Sequence, residues 1–236
     1  MTITVACLDM AGTTVRDDGV VMDAFRSAMK GAGEAGGAGP DAMEYVRATM
    51  GQSKIEVFRH LLGGDERAAQ AANAAFEDAY GAAVRAGAVE PLPGAEDVLR
   101  ACRPAGVQVC LSTGFSPVTR DAILDALGWR PLADLVLSPA DAGRGRPWPD
   151  MPLTALLRLG GGAVSELAVV GDTPSDVESG LRAGAGLVAG VLTGAATRDD
   201  LAAAGAPVIL DDITSLLDYL LSTGLVDNSV SFPAWL

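Results

Sequence analysis

The stretch Thr2-Ile-Thr-Val-Ala-Cys-Leu-Asp-Met-Ala-Gly-Thr-Thr14 decides how the rest of the chain is interpreted. Its apolar run from Ile3 to Leu8 has the length of a buried strand, and Asp9 follows where that strand ends. In an open parallel sheet, ligands bind just beyond the carboxyl ends of the strands. The position therefore predicts that Asp9 is a nucleophile or a metal ligand. An aspartate shortly before a glycine is also typical of an ordinary turn.

The chain downstream of residue 91 alternates between strand-like and helix-like segments. Short apolar runs predict strands over 107–111, 135–137, 167–170, 186–191 and 208–210. Helical spacing of apolar residues predicts helices over 95–102, 119–127, 152–159, 175–183, 198–203 and 213–221. Strands that alternate with helices predict an α/β fold whose parallel, Rossmann-like sheet is covered on both faces.

The segment between the first strand and residue 91 has a different character. Helical spacing extends over 22–30, 41–49, 53–62 and 65–84, and no strand is predicted there. Glycine-rich breaks separate these helices. We therefore expect a helical domain of residues 17–91, inserted into an α/β core of residues 1–16 and 92–236. The two crossings, 15–20 and 90–94, are the expected hinges.

Composition excludes several classes of function. The chain has 236 residues and a formal net charge of −13, which disfavours nucleic acid and anionic membranes as partners. No stretch reaches 18 apolar residues, and no basic segment followed by an apolar one marks a secretion signal. The three cysteines, Cys7, Cys102 and Cys110, lie in apolar segments without metal-ligand spacing. They predict buried thiols and a cytoplasmic location.

Polar motifs follow two of the predicted strands, and a third motif lies in a loop between those two. Ser112-Thr113-Gly114 offers hydroxyl and N–H groups, Gly143 to Pro149 contributes arginine, and Gly171 to Asp176 carries two carboxylates. Each motif alone is also typical of a turn, a helix cap or a surface charge. Together at one rim with Asp9, they predict phosphoryl transfer by a carboxylate nucleophile with a divalent cation.

These motifs resemble those of the haloacid dehalogenase superfamily. The sequence Asp-Met-Ala-Gly-Thr-Thr from Asp9 is similar to the first motif of the phosphonatase branch, in which alanine replaces a second aspartate. Ser112-Thr113-Gly114, Gly145-Arg-Pro-Trp-Pro149 and Gly171-Asp-Thr-Pro-Ser-Asp176 resemble the second, third and fourth motifs. Met50-Gly-Gln-Ser-Lys-Ile55 resembles the cap segment that carries an imine-forming lysine. The resemblance implies a small helical cap of the C1 type over the α/β core.

The resemblance also implies roles for the residues at the rim. Asp9 attacks phosphorus, and Asp9, Asp172 and the backbone carbonyl of Ala11 hold Mg²⁺. Asp176 steadies the metal site from behind the ligands.

The resemblance assigns the phosphoryl oxygens to another set of groups, and it implies a partner. Those groups are Gly12, Thr113, Gly114 and Arg146. The family further implies a homodimer formed through the cap.

Position 11 distinguishes two reactions. A phosphate ester leaves as an alkoxide that an acid must protonate, a contribution of about 100- to 10,000-fold, and Ala11 is unable to do so. A leaving carbon next to an iminium needs no such acid, but it needs a lysine. Only two of the 17 Lys and Arg residues are lysines, Lys30 and Lys54. Lys54 begins a predicted cap helix, where the helix dipole and nearby cations are expected to lower its pKa.

Three positions depart from the phosphonatase pattern. Val57 stands in place of a histidine, Phe115 in place of a tyrosine and Val20 in place of a cysteine. These family groups are thought to assist proton transfers during imine formation. The only histidine, His60, is expected to be a surface or packing residue rather than a ligand.

The leading hypothesis is a Mg²⁺-dependent hydrolase that cleaves a phosphorus–carbon bond next to a carbonyl, with Lys54 as the imine former. The alternative is a phosphatase for small phosphate monoesters. A non-catalytic sensor of anions is a third hypothesis, which the retained nucleophile Asp9 disfavours. The expected substrate is a small phosphonate or phosphate.

Overall fold

A six-stranded parallel sheet forms the centre of the protein. The computed structural model describes residues 2–31 and 40–226. The strand order is β3-β2-β1-β4-β5-β6, so β1 lies in the middle. The strands are β1 (Val5–Asp9), β2 (Gln108–Ser112), β3 (Leu135–Leu137), β4 (Leu167–Gly171), β5 (Leu187–Val191) and β6 (Val208–Leu210). The predicted parallel α/β sheet is confirmed.

The central strand brings the ends of its two neighbours to the same rim. Every residue of β1 is buried, as expected for a strand covered on both faces. Its register sets Asp9 opposite Ser112 of β2, while Leu8 pairs with Val170 of β4. Strand order reverses at β1, which is where open α/β sheets bind their ligands. The residues after β1, β2 and β4 therefore meet around one point.

Most helices begin and end within two residues of their predicted bounds. The helices around the sheet are α5 (Ala95–Cys102), α6 (Pro117–Leu127), α7 (Pro139–Ala142), α8 (Asp150–Arg158), α9 (Pro174–Ala183), α10 (Arg198–Ala203) and α11 (Ser215–Ser222). The prediction missed α7, a single turn that is too short to show apolar periodicity. Helix α6 begins at Pro117, before the predicted start at Thr119, because Ser116 caps it by accepting from the Thr119 N–H.

Four helices form the insertion between β1 and α5. They are α1 (Val20–Gly31), α2 (Pro40–Ala48), α3 (Lys54–Leu61) and α4 (Glu66–Arg85). The two crossings run side by side: the Arg16 N–H donates to the Glu90 carbonyl at 2.8 Å, and the Leu92 N–H donates to the Thr14 carbonyl at 2.9 Å. The helical insertion expected from the sequence is thus present, and its two connections are joined by backbone hydrogen bonds.

One apolar cluster extends from the sheet into the insertion. It joins strand residues such as Leu8 to insertion residues such as Phe25 and Phe76. The helical residues therefore pack on the sheet layer in this arrangement, and the boundaries 17–91 stay a prediction. Cys7, Cys102 and Cys110 are buried free thiols, as expected. Among the described residues, no helix combines the length and apolar character needed to cross a bilayer.

Candidate active site

Asp9 lies at the carboxyl end of β1 and is almost fully buried. Its Oδ1 accepts a charged hydrogen bond from Arg146 Nη1 at 2.6 Å. Burial, which outweighs the attraction of Arg146, raises the pKa of Asp9 well above its usual value. The nearby carboxylates of Asp176 and Asp172 act in the same direction. An aspartate in this setting is held in one orientation and shielded from bulk water.

Arg146 connects three parts of the rim. In addition to Asp9, its Nε contacts Asp176 Oδ1 at 2.7 Å and its Nη2 donates to Ser112 Oγ at 2.6 Å. Its side chain is only 4% exposed, so both ion pairs lie away from solvent. Removing one partner of a buried pair leaves an uncompensated charge, so these contacts hold the guanidinium in place. Arginine suits this role because its planar fork donates in several directions.

Asp172 follows β4 and is held by two other loops. Its Oδ1 accepts from the Thr13 hydroxyl at 3.1 Å, and its Oδ2 accepts from the Ala195 N–H at 2.8 Å. Burial and the neighbouring charge of Asp176 raise its pKa to about 7. A Cβ added at Gly12, whose φ is +94°, would stand 2.5 Å from Asp172 Oδ2. Glycine at position 12 therefore permits the close approach of this carboxylate.

The carboxylates of Asp9, Asp172 and Asp176 form a cluster that fits a cation. One oxygen from each lies within 4.8 Å of the others, and all three residues are buried. Arg146 supplies a single positive charge against three acids. Oxygen ligands crowded in this way suit a hard divalent cation such as Mg²⁺. Both oxygens of Asp176 are engaged, by Arg146 and by Thr173, whereas Asp9 has one oxygen outside the Arg146 contact.

The predicted phosphate-binding groups differ in whether their hydrogen-bond donors already have an acceptor within the protein. The Thr113 N–H donates to the Leu137 carbonyl at 3.0 Å, which leaves the hydroxyl as its available donor. Among the described residues, none accepts from the Gly114 N–H. The Gly12 N–H donates to the Val15 carbonyl at 2.7 Å, so it is engaged within the protein here, and its role towards a phosphoryl group stays a prediction. Loop closure after β1 takes up that donor.

The loop before α3 rests directly on the sheet rim. Gly51 O accepts from Arg146 Nη1 at 3.4 Å, and Gln52 Nε2 donates to Ser175 Oγ at 3.3 Å. A Cβ at Gly114 would stand 2.3 Å from Gln52 O, so only glycine fits there. The insertion thus covers the rim and is held closed by polar contacts.

Lys54 is the first residue of α3, and it is 7% exposed. Its Nζ lies 5.1 Å from the centre of the Phe115 ring and 5.9 Å from that of Phe25, and it donates to Gln52 O at 3.4 Å. In the described part of the chain, no carboxylate forms a salt bridge with it. This amine is buried among aromatic rings with few polar partners.

Burial lowers the pKa of Lys54 to about 8, against the opposing attraction of Asp9 and Asp17. The direction agrees with the sequence-based expectation, but the main cause differs. The expectation rested on the helix dipole and nearby cations, whereas desolvation by burial is the largest effect and the charge of Arg146 a smaller one. The other lysine, Lys30, is exposed.

A cavity of about 910 Å³ opens beside Lys54, Gly114 and Arg146. Its outer wall includes Trp148 and His60. His60 is exposed and stacks on Tyr45 with 4.0 Å between ring centres, which agrees with the expected surface or packing role. The cavity gives a small molecule a route towards Lys54 and Arg146.

Several site groups were not identified from the sequence. The sequence places Ser112 in a polar loop but does not indicate that its hydroxyl accepts from Arg146. Thr13 and the turn at 193–195 hold Asp172, with Thr193 Oγ1 also donating to the Gly12 carbonyl at 2.7 Å. The signal for that turn was its position directly after β5, the strand next to β4.

Comparisons with known proteins agree with this geometry. A sequence model of the haloacid dehalogenase-like hydrolases matches residues 3–184. Phosphonoacetaldehyde hydrolase from Bacillus cereus strain B4264 is 32% identical over 109 residues, which are 44% of this chain and 39% of that protein. Phosphoglycolate phosphatase from Rhodospirillum rubrum is 34% identical over 157 residues, which are 66% of this chain and 63% of that protein. The chain thus spans about two fifths to three fifths of the length of these relatives.

A solved structure extends the likeness to almost the whole chain. A hydrolase from Pseudomonas syringae superposes with a TM-score of 0.81 at 24% identity, covering 93% of this chain and 98% of that one. At this identity the superposition speaks for the fold alone. The family match covers more than half of the chain, and the rim carries the corresponding buried acids. The chain belongs to the haloacid dehalogenase-like hydrolase family.

Proposed function

We propose that this protein is a Mg²⁺-dependent hydrolase that cleaves the phosphorus–carbon bond of a small phosphonate bearing a carbonyl group, through an imine on Lys54. The observation that carries the proposal is the Lys54 amine, buried on aromatic rings with its pKa lowered to about 8. A solvated lysine is protonated at neutral pH and does not attack carbonyls. This one is half neutral near pH 8. Its loop contacts the same rim that holds Asp9.

The first step takes place at Lys54. Its neutral amine attacks the carbonyl carbon, which is separated from phosphorus by one carbon atom. The carbonyl oxygen takes one proton from the amine and one from solvent, and it leaves as water. The product is a protonated imine, which draws electrons from the neighbouring carbon–phosphorus bond. Closure of the loop at 51–54 over the rim excludes bulk water from this intermediate.

The second step takes place at Asp9. Its carboxylate oxygen forms a bond to phosphorus while the carbon–phosphorus bond breaks. The electron pair of that bond moves onto carbon and neutralises the iminium, which gives an enamine on Lys54 and an aspartyl phosphate on Asp9. Ala11 donates no proton, and none is needed because the leaving carbon is stabilised by the iminium.

The phosphoryl group is held by side chains already arranged around Asp9. Arg146 neutralises its oxygens, and the Thr113 hydroxyl and the Gly114 N–H donate to them. Asp9, Asp172 and the Ala11 carbonyl would hold Mg²⁺, which when bound neutralises charge on the phosphoryl oxygens. Asp176 fixes Arg146 at 2.7 Å from behind.

Two hydrolyses complete the reaction. The enamine takes a proton on carbon, and water then releases the aldehyde or ketone and restores the Lys54 amine. A second water cleaves the aspartyl phosphate, giving inorganic phosphate and free Asp9. One water is released and two are consumed, so the net reaction is phosphonate plus water to carbonyl compound plus phosphate.

Reductive trapping tests the proposal directly. Borohydride added during turnover of phosphonoacetaldehyde or a related phosphonoketone is expected to add the mass of the reduced carbon fragment to Lys54. Peptide mass spectrometry locates the modified lysine, and Lys30 in the same digest is the internal control, because it is exposed. Turnover without any adduct on Lys54 would exclude the imine route.

The rate of trapping is expected to depend on pH in a defined direction. Only the neutral amine attacks, so the rate should rise about tenfold per pH unit at low pH and level off above a pH of about 8, the pKa of Lys54. Initial trapping rates measured between about pH 6 and about pH 11 with a fixed aldehyde concentration provide the profile. A rate that continues to rise towards 10.5, the ordinary lysine value, would show that burial does not free this amine.

A phosphatase for small phosphate monoesters is the second candidate. The observation that favours it is the Rhodospirillum rubrum phosphoglycolate phosphatase, which aligns with 66% of this chain, against 44% for the Bacillus cereus hydrolase. Substrate or water would then supply the proton that Ala11 lacks. Initial rates with phosphoglycolate and other monoesters, compared with those for carbonyl phosphonates in the presence of Mg²⁺, distinguish the two reactions.

A further inference from the structure

Tyr80 carries a buried hydroxyl that packing does not explain. It lies in α4, its side chain is 0% exposed, and its Oη has no hydrogen-bond partner among the described residues. Buried tyrosine hydroxyls usually find a partner, and leaving one unpaired costs free energy. The rings that it contacts, Phe76 and Phe115, are both phenylalanines, and Phe76 in turn contacts Phe25 and Phe58. Phenylalanine at position 80 would fill the same space without that cost.

The position of Tyr80 connects it to the reacting amine. Its ring centre lies 4.7 Å from that of Phe115, and the Lys54 Nζ lies 5.1 Å from the same Phe115 ring. Phe115 directly follows Thr113 and Gly114 at the rim. Tyr80 and Lys54 therefore both contact the ring of Phe115, the residue next to the predicted phosphate-binding loop.

Charged groups near Tyr80 favour the protonated form of its hydroxyl. After burial, the carboxylates of Asp17 and Asp9 are the groups that raise the pKa of the phenol. A raised pKa keeps the hydroxyl protonated, so it stays a hydrogen-bond donor at all working pH values. Val57 and Phe115 are both buried and apolar, so neither supplies a donor at this place.

We propose that the Tyr80 hydroxyl binds the substrate, donating a hydrogen bond to the carbonyl oxygen while the Lys54 amine attacks the carbonyl carbon. Negative charge grows on that oxygen as the carbon–nitrogen bond forms, and a donor held in a dry site stabilises it. The orphaned hydroxyl then gains its missing partner in the complex. The inference rests on the imine route at Lys54. Because Tyr80 is covered in this closed arrangement, the substrate reaches it when the insertion lifts from the rim and closes again.

The test is Tyr80→Phe, which removes the hydroxyl and keeps the ring. The rate of borohydride trapping at Lys54 and kcat for a carbonyl phosphonate should both fall by about 100-fold, with a smaller change in KM, because the hydrogen bond strengthens as the reaction proceeds. Thermal unfolding should occur at the same or a higher temperature, since an unpaired polar group is lost. Tyr219→Phe, in α11 away from the rim, is the matched control and should keep wild-type values.

A second measurement separates binding of the carbonyl from a packing role. Beryllium fluoride with Mg²⁺ mimics the phosphoryl group on Asp9 and has no carbonyl, so its affinity should be the same in wild type and Tyr80→Phe. Wild-type trapping rates in Tyr80→Phe would overturn the inference and leave the Lys54 reaction standing. A parallel loss of trapping and of beryllium fluoride affinity would also overturn it, in favour of packing. No adduct in the wild-type protein would refute the Lys54 reaction itself, and the Tyr80 proposal with it.

Discussion

Lys54→Arg is expected to lower kcat for carbonyl phosphonates by at least about 1,000-fold, or roughly 4 kcal/mol of transition-state stabilisation. Arginine keeps a positive charge, but its guanidinium stays protonated and forms no imine. The carbon–phosphorus bond then has no electron sink. The measurement is phosphate release under saturating substrate, together with the loss of any adduct in the borohydride experiment.

Lys30→Arg is the matched control for this substitution. Lys30 lies at the exposed end of α1, so the same change there should leave kcat unaltered. Full turnover of a carbonyl phosphonate by Lys54→Arg would refute the imine route. Monoester hydrolysis that survives in Lys54→Arg would support the phosphatase alternative, because that reaction does not use the amine as a nucleophile.

Asp9→Asn is expected to abolish both reactions, with a fall in kcat of about 10,000-fold or more, roughly 5.5 kcal/mol. The amide is nearly the same size as the carboxylate, but it is not a nucleophile towards phosphorus. Arg146 loses the negative charge of its 2.6 Å partner but keeps Asp176, so the loop that carries it should stay in place. Phosphate release measures the fall in kcat, and beryllium fluoride binding measures whether position 9 still accepts a mimic of the phosphoryl group.

The control for Asp9→Asn is Asp199→Asn, an exposed acid near the start of α10 that should show wild-type rates. The two active-site variants separate the steps of the proposal. Asp9→Asn should stop phosphoryl transfer from every substrate, whereas Lys54→Arg should stop only carbon–phosphorus cleavage. Phosphoryl incorporation into Asp9→Asn would mean that another residue is the nucleophile.

Lys54 shows which of its properties follow from the local sequence and which follow from packing. The sequence predicted that it begins a cap helix, which the structure confirms, and that its pKa is lowered, which agrees with its burial. The stated cause, the helix dipole with nearby cations, was incomplete. The main cause is burial, and the amine lies against the rings of Phe25 and Phe115, which come from two separate segments. No local pattern shows that residues so far apart in the chain meet around one amine.

The same contrast applies to the rim. Asp9, Thr113 and Asp172 were identified because each follows an apolar strand, a signal present in a few consecutive residues. Their meeting follows from the strand order β2-β1-β4, which the sequence alone does not specify. Two hydrogen bonds, from the Gly12 N–H to the Val15 carbonyl and from Arg146 to the Ser112 hydroxyl, depend on how the loops fold and pack against one another.

The sequence by itself determined the elements of this protein: strands and helices in alternation, a helical insertion, and polar residues at the strand ends. It could do so because hydrophobic periodicity and turn residues act over short stretches of chain. Only the tertiary structure decided which carboxylates share one buried cluster, which donors remain free, and that Lys54 and Tyr80 contact one phenylalanine ring. Those outcomes depend on burial and on contacts between residues that are distant in the chain, and folding alone brings them together.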